Sequence, residues 1–453
     1  MILRIRLTVL VFGLLFMFRV QAQTQWTLDD CIAYALKHSL NKRTQDLNLA
    51  ISKERWQQGK RDMLPTINVS YPSYNVSFGR TLDPVTNSFV DTRFVSGLSG
   101  GLSSSLTLFQ AFRKWHEIAY QKIIYESSKL DNQQTEYDLA FKIMDLYNQV
   151  LYCKGALTIV EKQQSTNQLL EKAIVKKVEL GLMAKADLYE IEATTEADAL
   201  AVLKAQNLLD QAKLALIQKM NLNTEDIELT APLENAVSSD STTFQVDEVF
   251  SVSQEVLPHL QKSKLQVATS KKQLQLNRTA LFPTIRLSGD ISTSYSDNFK
   301  DVNGETISLS DQLKNNQSKY IGISMSYPIF GNWRTRSQIK IAKKELEIAS
   351  NNLDIEKQEV YKAIKEMVQR YEALKAEIKL NQVTLKAKSK ALDIVQKKYE
   401  RNLVSLYELQ LASNVYLNAK IEHVRLKSQL TMQQRTLDFY NGKFTLPLTA
   451  DIE

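Results

Sequence analysis

The chain repeats itself once. Leu106-Thr-Leu-Phe109-Gln-Ala-Phe-Arg113 lines up with Tyr327-Pro-Ile-Phe330-Gly-Asn-Trp-Arg334, and Phe109 to Phe330 is an offset of 221 residues. The same offset carries Gly181-Leu182 onto Asn402-Leu403 and Asp187-Leu188 onto Glu408-Leu409. Upstream, Leu64-Pro65-Thr66-Ile67 matches Phe282-Pro283-Thr284-Ile285 at an offset of 218. A duplication constrains architecture before any single element does, so the fold of one half must serve for the other.

Each half reads as helix, strand, strand, very long helix, turn and long helix. Trp26-Thr27-Leu28-Asp29-Asp30 offers a Thr or Asp cap ahead of an apolar pattern through Ile32, Ala35 and Leu36. A second helix is predicted from about Asn41 to Met63 and stops at Leu64-Pro65, because proline disfavours helical geometry in its predecessor. Only 13 Gly and 8 Pro occur in 453 residues, so the chain is built mainly of long helices. No proline interrupts 111–178 or 335–401. Within the second stretch Val360, Ile364, Met367, Tyr371, Leu374 and Ile378 step by four and three, the period of a coiled-coil seam. Such a helix, at 1.5 Å per residue, is about 100 Å long. Gly181-Leu182-Met183 and Asn402-Leu403-Val404 break these helices, and Gly and Asn most readily take the left-handed conformation that ends one. The chain therefore turns back twice, as two long antiparallel hairpins.

After Pro65 and Pro283 the period changes from helical to alternating. Phe94, Leu98, Leu102, Leu106 and Leu108 alternate with mostly small or polar residues. In the second half Ile285, Leu287, Ile291 and Tyr295 alternate with Arg286, Ser288, Asp290 and Ser292, and Ile321, Ile323, Met325, Tyr327 and Ile329 with Gly322, Ser324 and Ser326. One face of each strand is apolar, and about ten residues of alternation suffice for a tilted strand to cross a bilayer. The stretches from Arg80 to Arg93 and from Ser296 to Ser318 read as loops outside the membrane. Four strands cannot close a barrel, and an open edge in lipid is forbidden, so the membrane reading requires an oligomer.

Met1 to Ala22, with Arg4 and Arg6 before an apolar run from Leu7 to Phe18, has the form of a secretory signal peptide, too short to span a bilayer as a helix. Its removal takes the net charge from +7 to +4, because Arg4, Arg6 and Arg19 leave with it, which is too mild to imply nucleic acid. Mean hydropathy is −0.27. Cys31 and Cys153 lie among apolar neighbours on predicted helices and read as buried free thiols. The histidines, His38, His116, His259 and His423, are scattered, and no zinc, phosphate-loop or nucleophile-elbow pattern accompanies them, which weighs against an enzyme; no cofactor or metal is expected. A periplasmic coiled-coil scaffold would explain the helices and the export signal but would leave both strand hairpins idle.

Along essentially the whole mature length the chain resembles the TolC family of outer-membrane efflux and secretion channels. The resemblance is carried by Trp26-Thr-Leu-Asp-Asp-Cys-Ile-Ala-Tyr-Ala-Leu36, by the Leu-Pro and Phe-Pro starts of the strand hairpins, by their Phe-x-x-x-Arg ends, and by the Gly-Leu and Asn-Leu tips followed by Asp187 or Glu408. It implies a fold of α plus membrane β, two repeats per chain, and a homotrimer whose strands form one 12-stranded barrel in the lipid of a Gram-negative outer membrane. It also implies a periplasmic adaptor (membrane fusion) protein docking on the hairpin tips Gly181, Leu182, Asn402 and Leu403, and an inner-membrane RND or ABC transporter behind it. Acidic residues past the second tip constrict the entrance in some members, at six and nine residues beyond the turn; Glu408 fits the first position, the second is Leu411, and the first half offers Asp187 and Glu190. The expected organisation is a signal over 1–22, a first repeat over 23–220 (strands about 66–109, helical hairpin about 111–220) and a linker over 221–244. A second repeat follows over 245–442 (strands about 284–330, helices about 335–441), with a tail over 443–453.

Overall fold

The computed structural model describes residues 25–83, 87–230 and 243–443. The signal at 1–22, Pro232 in the linker and all but the first residue of the tail lie outside them. The element order is α1 (Leu28–His38), α2 (Leu40–Arg61), β1 (Thr66–Asp83), β2 (Ser88–Phe109), α3 (Arg113–Glu179) and α4 (Lys185–Met220), then α5 (Val246–Val256), α6 (Pro258–Thr279), β3 (Thr284–Ser296), α7 (Leu309–Asn315), β4 (Ser318–Ser326), α8 (Arg334–Glu400) and α9 (Leu406–Tyr440). The fold is the expected one, long helical hairpins with an antiparallel sheet of order β1-β2-β3-β4. Among the described residues no helix is long and apolar enough to cross a membrane.

The duplication is written into the backbone. Ala111 and Phe112 have φ of 46° and 58°, and Asn332 and Trp333 have 50° and 59°; Gly181 and Asn402 have 70° and 57°; Asn221 and Gly442 have 56° and 69°. Every pair is separated by 221 residues. Left-handed geometry is uncommon outside glycine, so its recurrence in register marks the same turns built twice.

The described residues form two compact units that take segments from both halves of the sequence, one within 25–46, 131–261 and 356–443 and the other within 47–130 and 262–355. In the first, α1 is opened by a capping box in which Thr27 Oγ1 accepts from the Asp30 N–H at 3.2 Å while Asp30 Oδ2 accepts from the Thr27 N–H at 3.1 Å. It buries Cys31, Ile32 and Ala35 against Ile143, Tyr147, Val150 and Cys153 of α3 and Leu216 and Met220 of α4. The Tyr147 hydroxyl donates to the Thr230 carbonyl at 2.5 Å, which holds the segment after α4 against this core. The seam predicted on α8 is real: Val360, Ile364, Tyr371 and Leu374 are buried, with Met367 and Ile378 half-buried.

In the second unit α2 lies on α3, where Trp56 stacks on Tyr125 with ring centroids 5.6 Å apart and Ser52 meets Ser128 at 2.7 Å. The sheet departs from the sequence reading in two places. The stretch from Arg80 to Arg93 is not a loop: β1 runs to Asp83 and β2 starts at Ser88, with Arg80 opposite Asp91 and Leu82 opposite Phe89. Its polar residues suggested a loop, but a hairpin satisfies its own ladder hydrogen bonds whatever side chains it carries. A register shift between Thr107 and Phe109 also sets Phe109, rather than Leu108, opposite Ile285. The stretch from Ser296 to Ser318 is an ordered excursion that includes α7, pinned by Gln312, whose buried amide accepts from the Ser296 N–H at 2.9 Å and donates to the Ser296 carbonyl at 2.9 Å.

Candidate functional site

At the first hairpin tip Leu182 N–H donates to the Lys177 carbonyl at 2.8 Å and Gly181 N–H to the Val178 carbonyl at 3.0 Å. This pair of bonds closes a helix through one left-handed residue and satisfies carbonyls the helix leaves orphaned. The second tip repeats it, with Leu403 to Lys398 at 2.9 Å and Asn402 to Tyr399 at 2.9 Å. Turning the chain so tightly leaves Leu182 and Leu403 standing 74% and 67% exposed. The return helices start differently: Ser405 caps α9 by accepting from the Glu408 N–H at 3.2 Å, whereas Ala184 before α4 supplies no side-chain cap.

Behind the turns the two hairpins share one apolar cluster, Ile174 and Ile191 from the first with Tyr399, Leu406 and Leu409 from the second. The acidic residues singled out in the sequence are not equivalent here. Asp187 and Glu190 are half-buried and act on Tyr399, whose phenol is pushed above its usual range by burial first and by these two carboxylates next. Glu408, the repeat partner of Asp187, is exposed and is not among the groups acting on Tyr399. Tyr399 was missed by sequence reasoning. Its repeat position is Val178, and only packing between hairpins brings it to Asp187.

The sheet separates chemistry by face, because residues directly opposite in neighbouring strands share a face. One set of rows reads Val69, Leu102, Ile291 and Lys319; then Ile67, Ser104, Gly289 and Ile321; then Leu106, Leu287 and Ile323. The alternate rows read Asn68, Ser103, Asp290 and Tyr320; then Thr66, Ser105, Ser288 and Gly322; then Thr107, Arg286 and Ser324. The apolar face is bare: Ile321, Ile323 and Met325 are 78%, 69% and 70% exposed. At the end of the sheet that joins the helices, Phe112 and Trp333 occupy the left-handed turns and are themselves exposed, as are Phe330 just before Trp333 and Phe282 just ahead of β3. A bare apolar band edged by aromatic rings is how a sheet meets lipid.

Two of the histidines pack on helix neighbours: His38 stacks on Tyr34 with centroids 4.2 Å apart, and His423 Nδ1 lies 3.0 Å from Asn381 Oδ1. Burial holds His259 and His423 below the usual imidazole range. Among the described residues no group of His, Cys, Asp or Glu is placed to hold a metal ion.

The chain is 22% identical over 436 residues to the outer membrane efflux protein BepC of Brucella suis biovar 1, covering 94% of this chain and 87% of that one. Its fold matches the CmeC outer membrane channel of Campylobacter jejuni with a TM-score of 0.77 at 15% identity, covering 94% of this chain and 87% of that one. It matches the outer membrane protein VceC of Vibrio cholerae at 0.75 and 15%, covering 92% and 96%. A family model described as outer membrane efflux protein matches residues 35–222 and again 251–443, once in each half of the duplication. The chain belongs to the outer membrane efflux protein family.

Proposed function

We propose that three copies of this outer-membrane efflux protein close their sheets into one 12-stranded barrel and join their helical hairpins into a periplasmic tunnel, a passive exit duct for substrates delivered by an inner-membrane transporter. The observation that carries this reading is the sheet, which exposes an apolar face and ends in two open edges, β1 and β4. In lipid an unpaired edge costs several kcal/mol per orphaned backbone group, roughly, and pairing β1 of one copy with β4 of the next removes every edge at once. A soluble scaffold would leave the bare face without a partner.

The tips Gly181, Leu182, Asn402 and Leu403 serve as the docking points for a periplasmic adaptor, supported by the exposed leucines that the tight turns present. An RND or an ABC transporter stands behind that adaptor. Asp187, Glu190 and Glu408 form an acidic entrance just inside the tips, Glu408 being the carboxylate left free to face the pore. The duplicated turns support an organisation into repeats over 23–220 and 245–442.

Single-channel recording on the purified protein in a planar bilayer, with its mass measured in detergent, tests this. A trimer giving discrete current steps, with cation preference lowered by Glu408→Gln, is expected. A soluble monomer that never conducts would overturn the channel.

A further inference from the structure

The polar face of the sheet is almost uniformly small. Where β3 is paired, it presents Ser99, Gly101, Ser103 and Ser105 from β2, Ser288, Ser292 and Ser294 from β3, and Gly322 and Ser324 from β4. Two charges interrupt this surface, Arg286 and Asp290. Neither side chain has an ion-pair or hydrogen-bond partner among the described residues. Four residues apart on one strand, they lie on the same face about 13 Å from each other. Tyr320, directly opposite Asp290, lies along the strand over Gly322, where any Cβ would run into its hydroxyl. The remaining charge of the paired region, Lys319, stands in the apolar row with Ile291 and Leu102.

We propose that Arg286 and Asp290 set the ion selectivity of the barrel, as a ring of three arginines followed by a ring of three aspartates in a lumen otherwise lined by hydroxyls and glycines. This rests on the trimeric-barrel reading above. Fixed rings of one sign decide which ions a pore admits. The two rings are separated by about one Debye length at 0.1 M salt, so each acts locally while their far fields largely cancel. The barrel then passes solutes of either sign with little preference, and removing one ring exposes the other. Among the described residues where β3 is paired, no other charge lies on this face to substitute for the lost ring.

The test is the potassium-to-chloride permeability ratio, from reversal potentials in a planar bilayer across a potassium chloride gradient. Arg286→Gln should raise the ratio about twofold or more and Asp290→Asn should lower it by a similar factor, with both effects shrinking in molar salt. The double variant should return to the wild-type ratio, and Lys319→Gln, on the other face, should leave it unchanged. Trimer mass in detergent and unit conductance confirm that each variant is assembled. Conducting trimers whose ratio is the same in every variant would overturn the assignment and leave the channel standing. A Lys319→Gln shift as large as that of Arg286→Gln would overturn the assignment of faces. Failure of the wild type to conduct would overturn the channel and this inference together.

Discussion

Cys31 is fully enclosed between α1, α3 and α4, and burial first, then the neighbouring Asp30 carboxylate, lifts its thiol to about 12. Tyr147 beside it is likewise raised to about 12, by burial first and then by Cys31 and the acidic turn of α1. Both groups are neutral when protonated, so a raised folded value means that the unfolded chain loses its proton first. For Cys31 the stabilisation is complete below the ordinary thiol value of 9.0 and is lost as pH rises toward about 12. The slope is at most about 1.4 kcal/mol per pH unit for one such group. Thermal midpoints followed by circular dichroism should therefore fall between pH 9 and 11, and Cys31→Ala should flatten that fall while lowering the midpoint at pH 7 through a small cavity. An unchanged alkaline slope in the variant would remove Cys31 as its source. Folded protein should also resist maleimide at pH 8, because the thiolate is the reacting species.

The hairpin tips show how local chemistry sets an element's end. Nothing lies within 4 Å of where a Cβ on Gly181 would be, so Gly181→Ala adds only the strain of holding alanine in left-handed geometry and should cost about 1 kcal/mol. Asn402 already tolerates the left-handed geometry, so Asn402→Gly should be neutral or slightly stabilising, while Asn402→Ala should cost about as much as the change at Gly181. Amide exchange at Leu182 and Leu403 reads this directly: faster exchange in both alanine variants is expected, and protection equal to wild type would show that the turn does not depend on the residue. These turns were legible in the sequence because Gly and Asn announce them, as Pro65 and Pro283 announce the change from helix to strand. The outward end of the first strand hairpin was not, since Asp, Asn and Ser between Arg80 and Arg93 read as a loop while the ladder continues beneath them. The influence of the Asp187 and Glu190 charges on Tyr399 links residues about 200 positions apart in two different hairpins. No period within either helix encodes that pairing.

For the whole molecule, the deciding question is which face of the sheet meets lipid. Alternating side chains assign each strand two faces, but the ladder aligns them, placing Leu106, Leu287 and Ile323 in one row and Ser103, Asp290 and Tyr320 in an alternate one. A single lysine placed on either face therefore has opposite consequences. Ile323→Lys puts an ammonium among exposed apolar side chains with no carboxylate in its row, and near the bilayer midplane this costs about 2–4 kcal/mol per copy. Ser103→Lys puts the same charge opposite Asp290 on a face of hydroxyls, where water and a counter-charge are both at hand. Because closure of the barrel requires all three copies, the penalty at Ile323 is paid three times in one assembly. Refolding into phospholipid vesicles, scored as heat-modifiable trimer on gels and by urea titration, should show Ile323→Lys strongly depleted and Ser103→Lys close to wild type. Equal loss in both would mean that the two faces share one environment, which a sheet closed around an aqueous lumen in a bilayer cannot produce.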